Sequence, residues 1–260
     1  MSDKQNQIIF LGTGTSQGVP VIGCTHPVCL SHNPKDKRLR ASVLVQAGSL
    51  NILIDCGPDF RQQMLRENLE KVDAVLITHE HNDHIIGLDD LRPLNFLTGK
   101  DMPIYAQNRV LKEIVLRFPY VFEENKYPGA PSAELISIDQ KEFYISNEKI
   151  IPLPVIHGSL DTFGYRIGNM AYLTDVSLIP KTTFPLLENL DILIIDALRK
   201  SPEHYSHLTL YQAIDYARII KPKKTYFTHI SHHIGFYDEV EKELPKNMHL
   251  AYDGLRLSFD

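Results

Sequence analysis

Thr78-His79-Glu80-His81-Asn82-Asp83-His84 places four potential metal ligands within six residues. Imidazole nitrogens and a carboxylate oxygen suit a borderline divalent ion such as zinc, manganese or iron. The pattern, H-x-H-x-D-H, follows directly on Val72-Asp73-Ala74-Val75-Leu76-Ile77, an aliphatic and β-branched run that reads as a buried strand. If the extended conformation continues through the motif, His79 and His81 project to one side and can share an ion, while Glu80 projects to the other. The turn that follows can swing Asp83 and His84 round to a second ion. A solvated, histidine-rich loop is the competing reading, and the strand that delivers the motif argues against it.

Other strands also end on chemistry-bearing residues. Gln7–Leu11 reads as a first strand running into Gly12-Thr13-Gly14-Thr15-Ser16-Gln17-Gly18, a glycine-rich loop that could cradle a phosphate but with no clear helix behind it. Ser42–Gln46 and Asn51–Asp55 read as a hairpin that ends at Asp55, a carboxylate able either to orient a histidine or to serve a turn beside Gly57-Pro58. Lys149–Ile156 leads to His157, Met170–Thr174 to Asp175, Leu190–Ile195 to Asp196, and Thr225–Thr228 to His229. Helices are expected over 59–69, 85–97, 108–118 with Asn108 as N-cap, 208–220 and 236–244. Residues 33–40 read as a solvated connection, and 121–133 as a loop.

Cys24, His26 and Cys29 lie within six residues in a loop. Two thiolates and an imidazole at that spacing can chelate one zinc, with a fourth ligand from elsewhere; two ordinary buried cysteines are the alternative. Three cysteines make no disulfide framework.

The chain has 260 residues, 43% hydrophobic and 23% charged, within the range of a globular protein with a substantial core. A net charge of −5 argues against a long nucleic acid as the main partner. Met1–Gln7 is polar and lacks a charged leader followed by an apolar stretch, and no run approaches the ~18 apolar residues of a membrane span. The expectation is a cytoplasmic protein with no membrane partner.

The H-x-H-x-D-H motif resembles the signature of the metallo-β-lactamase superfamily, and the later strand-end residues resemble its remaining motifs in order. The resemblance implies an α/β fold, a four-layer αββα sandwich, with residues 1–260 as one hydrolase domain. It implies His79, His81 and His157 on one ion, Asp83, His84 and His229 on a second, and Asp175 bridging, with Asp55 and Asp196 supporting the ligands. The implied cofactors are two divalent ions (Zn, Mn or Fe). A redox variant carrying glutamate where this chain has His81 is disfavoured.

The Cys24/His26/Cys29 loop, closed by His232 or His233, resembles the structural zinc site of the PhnP-type phosphoribosyl cyclic phosphate phosphodiesterases. That family has a cysteine where His26 stands. Its members often form dimers. The resemblance then implies hydrolysis of a small, cyclic or related, phosphodiester by a hydroxide bridging two ions. His207 would protonate the leaving oxygen, with Asp83 as the other catalytic residue; His204 is the nearby competitor for the acid. A tRNA 3′-processing endonuclease, a lactonase or thioesterase, and a PqqB-like cofactor-biosynthesis protein are the rival readings. The first usually carries a basic arm, which is not evident here.

Overall fold

The structure, a computed structural model, describes residues 5–123, 125 and 127–260. Met1–Lys4, and Glu124 and Lys126 of the expected 121–133 loop, lie outside the described residues. Fourteen strands are present among the described residues: β1 (Asn6–Gly12), β2 (Ser42–Ala47), β3 (Leu50–Ile54), β4 (Ala74–Leu76), β5 (Met102–Ala106), β6 (Ala133–Ser137), β7 (Phe143–Ile145), β8 (Glu148–His157), β9 (Leu160–Ile167), β10 (Met170–Leu173), β11 (Ile192–Asp196), β12 (Lys224–Thr228), β13 (Met248–Leu250) and β14 (Arg256–Phe259). They form two seven-stranded sheets, ordered β14-β1-β2-β3-β4-β5-β6 and β13-β12-β11-β10-β9-β8-β7. In each sheet an antiparallel meander gives way to parallel strands, at β3-β4 in the first and at β10-β11 in the second.

The layers follow from the side-chain alternation of continuous apolar runs. In β1, Ile8 and Phe10 face the other sheet, while Ile9 and Leu11 face the helices. In β11, Ile192 and Ile194 face inward while Leu193 and Ile195 pack against Ile214 and Val240 of the outer helices. Tyr165, Tyr172 and Phe10 fill the space between the sheets. Helices Phe60–Arg66 and Asn108–Arg117 cover the first sheet, and Leu210–Ile220 and Tyr237–Glu243 the second. The expected αββα sandwich is the observed fold. No described helix is long and apolar enough to cross a membrane.

Some local expectations change. Asn108 lies inside its helix, whose N-cap is Gln107. The expected 85–97 helix is broken into a short turn Asn82–Ile85, a 3-10 stretch Ile86–Leu91 and a helix Arg92–Thr98. Residues 33–40 are not a solvated connection: Arg38 and Asp36 are buried. Arg38 Nη1 donates to Thr13 Oγ1 at 2.8 Å and to the Ala251 carbonyl at 2.6 Å. Burial lowers its guanidinium to about 10 against the pull of Asp253 and Asp36.

Candidate metal centre

The strand β4 stops at Leu76, so the H-x-H segment is an extended loop rather than a continuation of the strand. Its geometry still brings the two histidines together: His79 Nε2 and His81 Nδ1 are 2.9 Å apart. The ligand atoms of His79, His81 and His157 lie within 4.8 Å of one another, as do those of Asp83, His84 and His229, and those of His79, His84 and Asp175. Glu80 turns away and pairs with Arg109.

The hydrogen bonds on the far side of each ring fix which nitrogen faces the centre. His157 Nδ1–H donates to the Ser206 carbonyl at 2.7 Å, which leaves Nε2 free. His84 Nδ1–H donates to Asp55 Oδ2 at 2.7 Å, and its Nε2 lies 3.2 Å from Asp175 and 3.3 Å from Asp83. Thr78 Oγ1–H donates to Asp55 at 2.9 Å, so that hydroxyl accepts from His79 Nδ1–H at 3.0 Å. Asp55 therefore orients two of the candidate ligands, one directly and one through Thr78.

Asp175 is central. Its carboxylate lies 3.4 Å from His229 Nε2, 3.7 Å from His157 Nε2 and 3.9 Å from His79 Nε2. Asp55, Asp175 and His229 all have positive φ, at 64°, 53° and 57°. A left-handed residue just past a strand turns its side chain back over the sheet edge, at a cost of about 1–3 kcal/mol each. Three such residues at the ends of β3, β10 and β12 indicate that the fold sustains strain where the ligands gather. A glycine serves this edge by its lack of a side chain. A Cβ on Gly57 would sit 2.1 Å from the Asp83 carbonyl, so only glycine lets the Asp55 loop lie against the Asp83 turn.

The charges fit a divalent ion. Burial, reinforced by His84, holds His79 well below its ordinary value and so neutral. Burial also lowers His157. His84 is pushed far up, because Asp175, Asp83 and Asp55 outweigh burial. Asp83 and Asp175 are held low against burial by His84 and His229. The neutral imidazoles of His79 and His157 beside the ionised carboxylates of Asp83 and Asp175 suit a divalent ion, and His84 would give up its proton to join them. His229 Nε2 is buried without a hydrogen-bond partner, the state of a nitrogen that an ion would satisfy.

His207 stacks on His229 with ring centroids 4.7 Å apart. Its Nδ1 is 3.1 Å from Asp196 Oδ2, and its Nε2 is 4.0 Å from Asp175 Oδ1. Burial would lower it, but the facing Asp196 carboxylate, with Asp175 and Asp83, raises it to about 9. Thr209 and Gln212 form a capping box that anchors the end of its loop. His204 differs: its Nδ1 accepts from Ser206 N–H at 3.3 Å, and burial with the neighbouring His207 lowers it. Asp196 also accepts from the N–H groups of Val176 and Leu208, at 3.1 and 3.3 Å.

A second cluster joins Cys24, Cys29 and His232, again within 4.8 Å. His26 Nδ1 accepts from Val28 N–H at 3.3 Å as a helix cap, so its neutral ring carries the proton on Nε2 and offers an ion no lone pair while that cap is made. Its ring centroid is 5.0 Å from His232 and 5.5 Å from His233. Nδ1 of His232 is buried without a partner. The glycine-rich loop is a joint rather than an open cradle. Gly14 N–H donates to Leu39, Thr15 N–H to Ile230 and Gly18 N–H to Thr15, while Ile230 N–H donates back to Thr13.

Sequence reasoning missed the Ser206 carbonyl, the Thr78 hydroxyl and Arg109. The first is a main-chain group with no sequence signature. Thr78 abuts the motif, and a hydroxyl beside a histidine is the only signal it carried.

Comparison with known proteins places this constellation. Residues 50–230 match the beta-lactamase superfamily domain family. A solved structure described as a new diphosphatase from the PhnP family has a TM-score of 0.92 and 44% identity, covering 98% of each chain. An octanoyltransferase of Porphyromonas gingivalis is 43% identical over 255 residues, 97% of this chain and 51% of that protein. A ribonuclease Z of Oceanobacillus iheyensis is 27% identical over 167 residues, 62% of this chain and 49% of that protein. The chain thus spans about half the length of these two curated relatives. It belongs to the metallo-β-lactamase superfamily, close to the PhnP family, whose fold implies divalent metal ions.

Proposed function

We propose that this chain is a metal-dependent hydrolase of small phosphodiesters in which His207 protonates the leaving alcohol. The observation that carries the reading is the His207 imidazole. It is fixed through Nδ1 on Asp196 at 3.1 Å, its Nε2 faces Asp175, and in the metal-free protein the facing Asp196 carboxylate raises it to about 9. An alkoxide is a poor leaving group, and a placed acid contributes about 10²–10⁴-fold. A leaving group that is already acidic has little use for it.

His79, His81 and His157 would hold one ion, Asp83, His84 and His229 the other, and Asp175 both. Bound divalent ions supply Lewis acidity to the phosphoryl oxygens and lower the pKa of a water nucleophile. Asp55 and Thr78 keep His84 and His79 in the tautomers that present Nε2. Asp196 does the same for His207 and holds its charge. Cys24, Cys29 and His232 would take one structural zinc, and His26 would join as the fourth donor only by giving up its cap on Val28 N–H.

A phosphodiester bond is supported by the likeness to a ribonuclease Z, and a small substrate by the net charge of −5. The octanoyltransferase name belongs to a protein of which this chain matches half, and it brings no acyl-transfer chemistry to this site.

The test is hydrolysis of ribose 1,2-cyclic phosphate 5-phosphate by the zinc- or manganese-loaded protein, with Asp83→Ala as control. Metal-dependent turnover lost in the variant is the expected result. Cleavage of a diphosphate with no cleavage of any phosphodiester would overturn the substrate class, and no turnover of either would overturn the hydrolase reading.

A further inference from the structure

The metal motif contains one acidic residue that the centre does not use. Glu80, between His79 and His81, points away from both and accepts from Arg109 Nη1. Arg109 Nη2 donates to the main-chain carbonyl of Asp161, and its Nε donates to Gln107 Oε1 at 3.1 Å. Asp161 lies in β9, where the register pairs its neighbour Leu160 with His157. Arg109 itself sits in the first turn of the helix Asn108–Arg117, which is anchored on the first sheet through Val110 and Ile114.

One guanidinium therefore ties the loop that carries His79 and His81 to the hairpin that carries His157. The three histidines come from different sheets, so the distance between His81 and His157 depends on how the sheets are joined at this edge. The start of the loop is fixed to the second sheet: the Thr78 carbonyl accepts from Phe163 N–H at 3.3 Å and the Ile77 carbonyl from Tyr165 O–H at 2.7 Å. Past Thr78 the link to the hairpin runs through Glu80 and Arg109. His79 is fully buried, but His81 is exposed and has less packing to hold it.

We propose that Arg109 is a positioning residue: it sets the separation of His81 and His157 and so the affinity of the three-histidine ion site. This role rests on the assignment of those histidines as ligands. A guanidinium suits it, because its planar fork reaches two acceptors in fixed divergent directions, which an ammonium cannot do. The side chain is 35% exposed, so the ion pair itself contributes little stability. Its effect is on geometry.

The test is cobalt(II) titration of the metal-free protein, reading visible absorption bands and competition with a chelator. The proteins are wild type, Arg109→Ala, Arg109→Lys and His81→Ala. Of the two ions at the histidine–aspartate centre, Arg109→Ala is expected to bind one as wild type does and the other about 10–100-fold more weakly, the usual effect of removing a group that orients a ligand. The Cys24/Cys29 site, told apart by its thiolate–cobalt bands, should fill as in wild type. The weakened ion should be the one lost in His81→Ala. Arg109→Lys should fall between, and the metal-free variants should unfold close to the wild-type midpoint. Both centre ions bound with unchanged affinity and spectra in Arg109→Ala would overturn the role. So would parallel weakening of both ions with a large loss of metal-free stability. If His81→Ala loses no ion, the ligand assignment fails first, and the role of Arg109 fails with it.

Discussion

Replacing His207 by alanine separates proton donation from everything else the centre does. The imidazole is raised from 6.5 to about 9. At 1.36 kcal/mol per unit that is roughly 3 kcal/mol of preference for the charged form, so nearly all of it carries a proton at pH 7 in the metal-free protein. Removing a general acid costs about 10²–10⁴-fold, or roughly 3–5 kcal/mol of barrier. The cost should fall on substrates whose leaving oxygen is an alkoxide. The assay is kcat/KM of His207→Ala against wild type on two diesters sharing a phosphoryl group, one releasing an alcohol and one releasing p-nitrophenolate. The alcohol ester should slow by the full amount and the aryl ester by less than about tenfold, because its leaving group needs little protonation. Equal losses on both would refute the argument. Metal content must be measured alongside, because His157, Asp175 and His207 also lie within 4.8 Å of one another. If His207→Ala loses an ion, His207 is a ligand and not the acid.

Asp196→Asn should return His207 toward its ordinary value near 6.5. A histidine raised in the folded state adds stability below its unfolded pKa, and that stability is lost as pH rises through the folded value of about 9. Urea unfolding of metal-free protein at pH 6 and pH 9.5 should therefore show a smaller pH-dependent loss in Asp196→Asn than in wild type, and an equal loss would count against the pair. Because His84 is held protonated by Asp175, Asp83 and Asp55, metal uptake at pH 7 should release at least one proton and strengthen as pH rises. Calorimetric titration with zinc in buffers of different ionisation heat, with the Cys24/Cys29 site already filled, reads this, and a heat independent of buffer contradicts it. Gly57→Ala places a Cβ 2.1 Å from the Asp83 carbonyl, and since that contact is backbone the Asp83 turn must move. A loss of roughly 1–3 kcal/mol in denaturant stability is expected, together with weakened binding at Asp83, His84 and His229, and a variant with unchanged metal affinity would show the turn to be slack.

Much of this was legible in the chain because strand ends and apolar runs are local properties. The run Val72–Ile77 announced a buried strand, and β4 is there, though it stops at Leu76. The histidines of the motif share a side even in an extended loop, since the side-chain alternation needs only extended backbone and no ladder. Other features depend on partners distant in sequence. Arg38 looks like a surface residue among polar neighbours, and only its meeting with Thr13, Ala251 and Asp253 makes its burial tolerable. The left-handed turns at Asp55, Asp175 and His229 fall on residue types that tolerate the conformation better than most but adopt it too rarely to announce it from sequence. Arg109 and Glu80 lie 29 positions apart, and nothing in either segment indicates that they meet.

The two sheets use the same device at the same edge. In the first, Asp55 just past β3 is buried and fixes His84 through Nδ1; in the second, Asp196 at the end of β11 is buried and fixes His207 through Nδ1. Both strands run parallel to their neighbours, β4 and β12, whose ends carry the next histidines, His79 and His229. Parallel strands deliver their C-terminal ends to one rim, where Asp55 sits behind His84 from beyond the next strand and Asp196 behind His207 from the loop after its own strand. What differs is the direction of the far nitrogen. His84 Nε2 is hemmed in by Asp83 and Asp175 at 3.2–3.3 Å, the setting of a ligand, whereas His207 Nε2 stands 4.0 Å from Asp175 and keeps some exposure. On the proposed reading, the same carboxylate–histidine pair would serve as a metal ligand where the ring is enclosed by other carboxylates and as a proton donor where it is not.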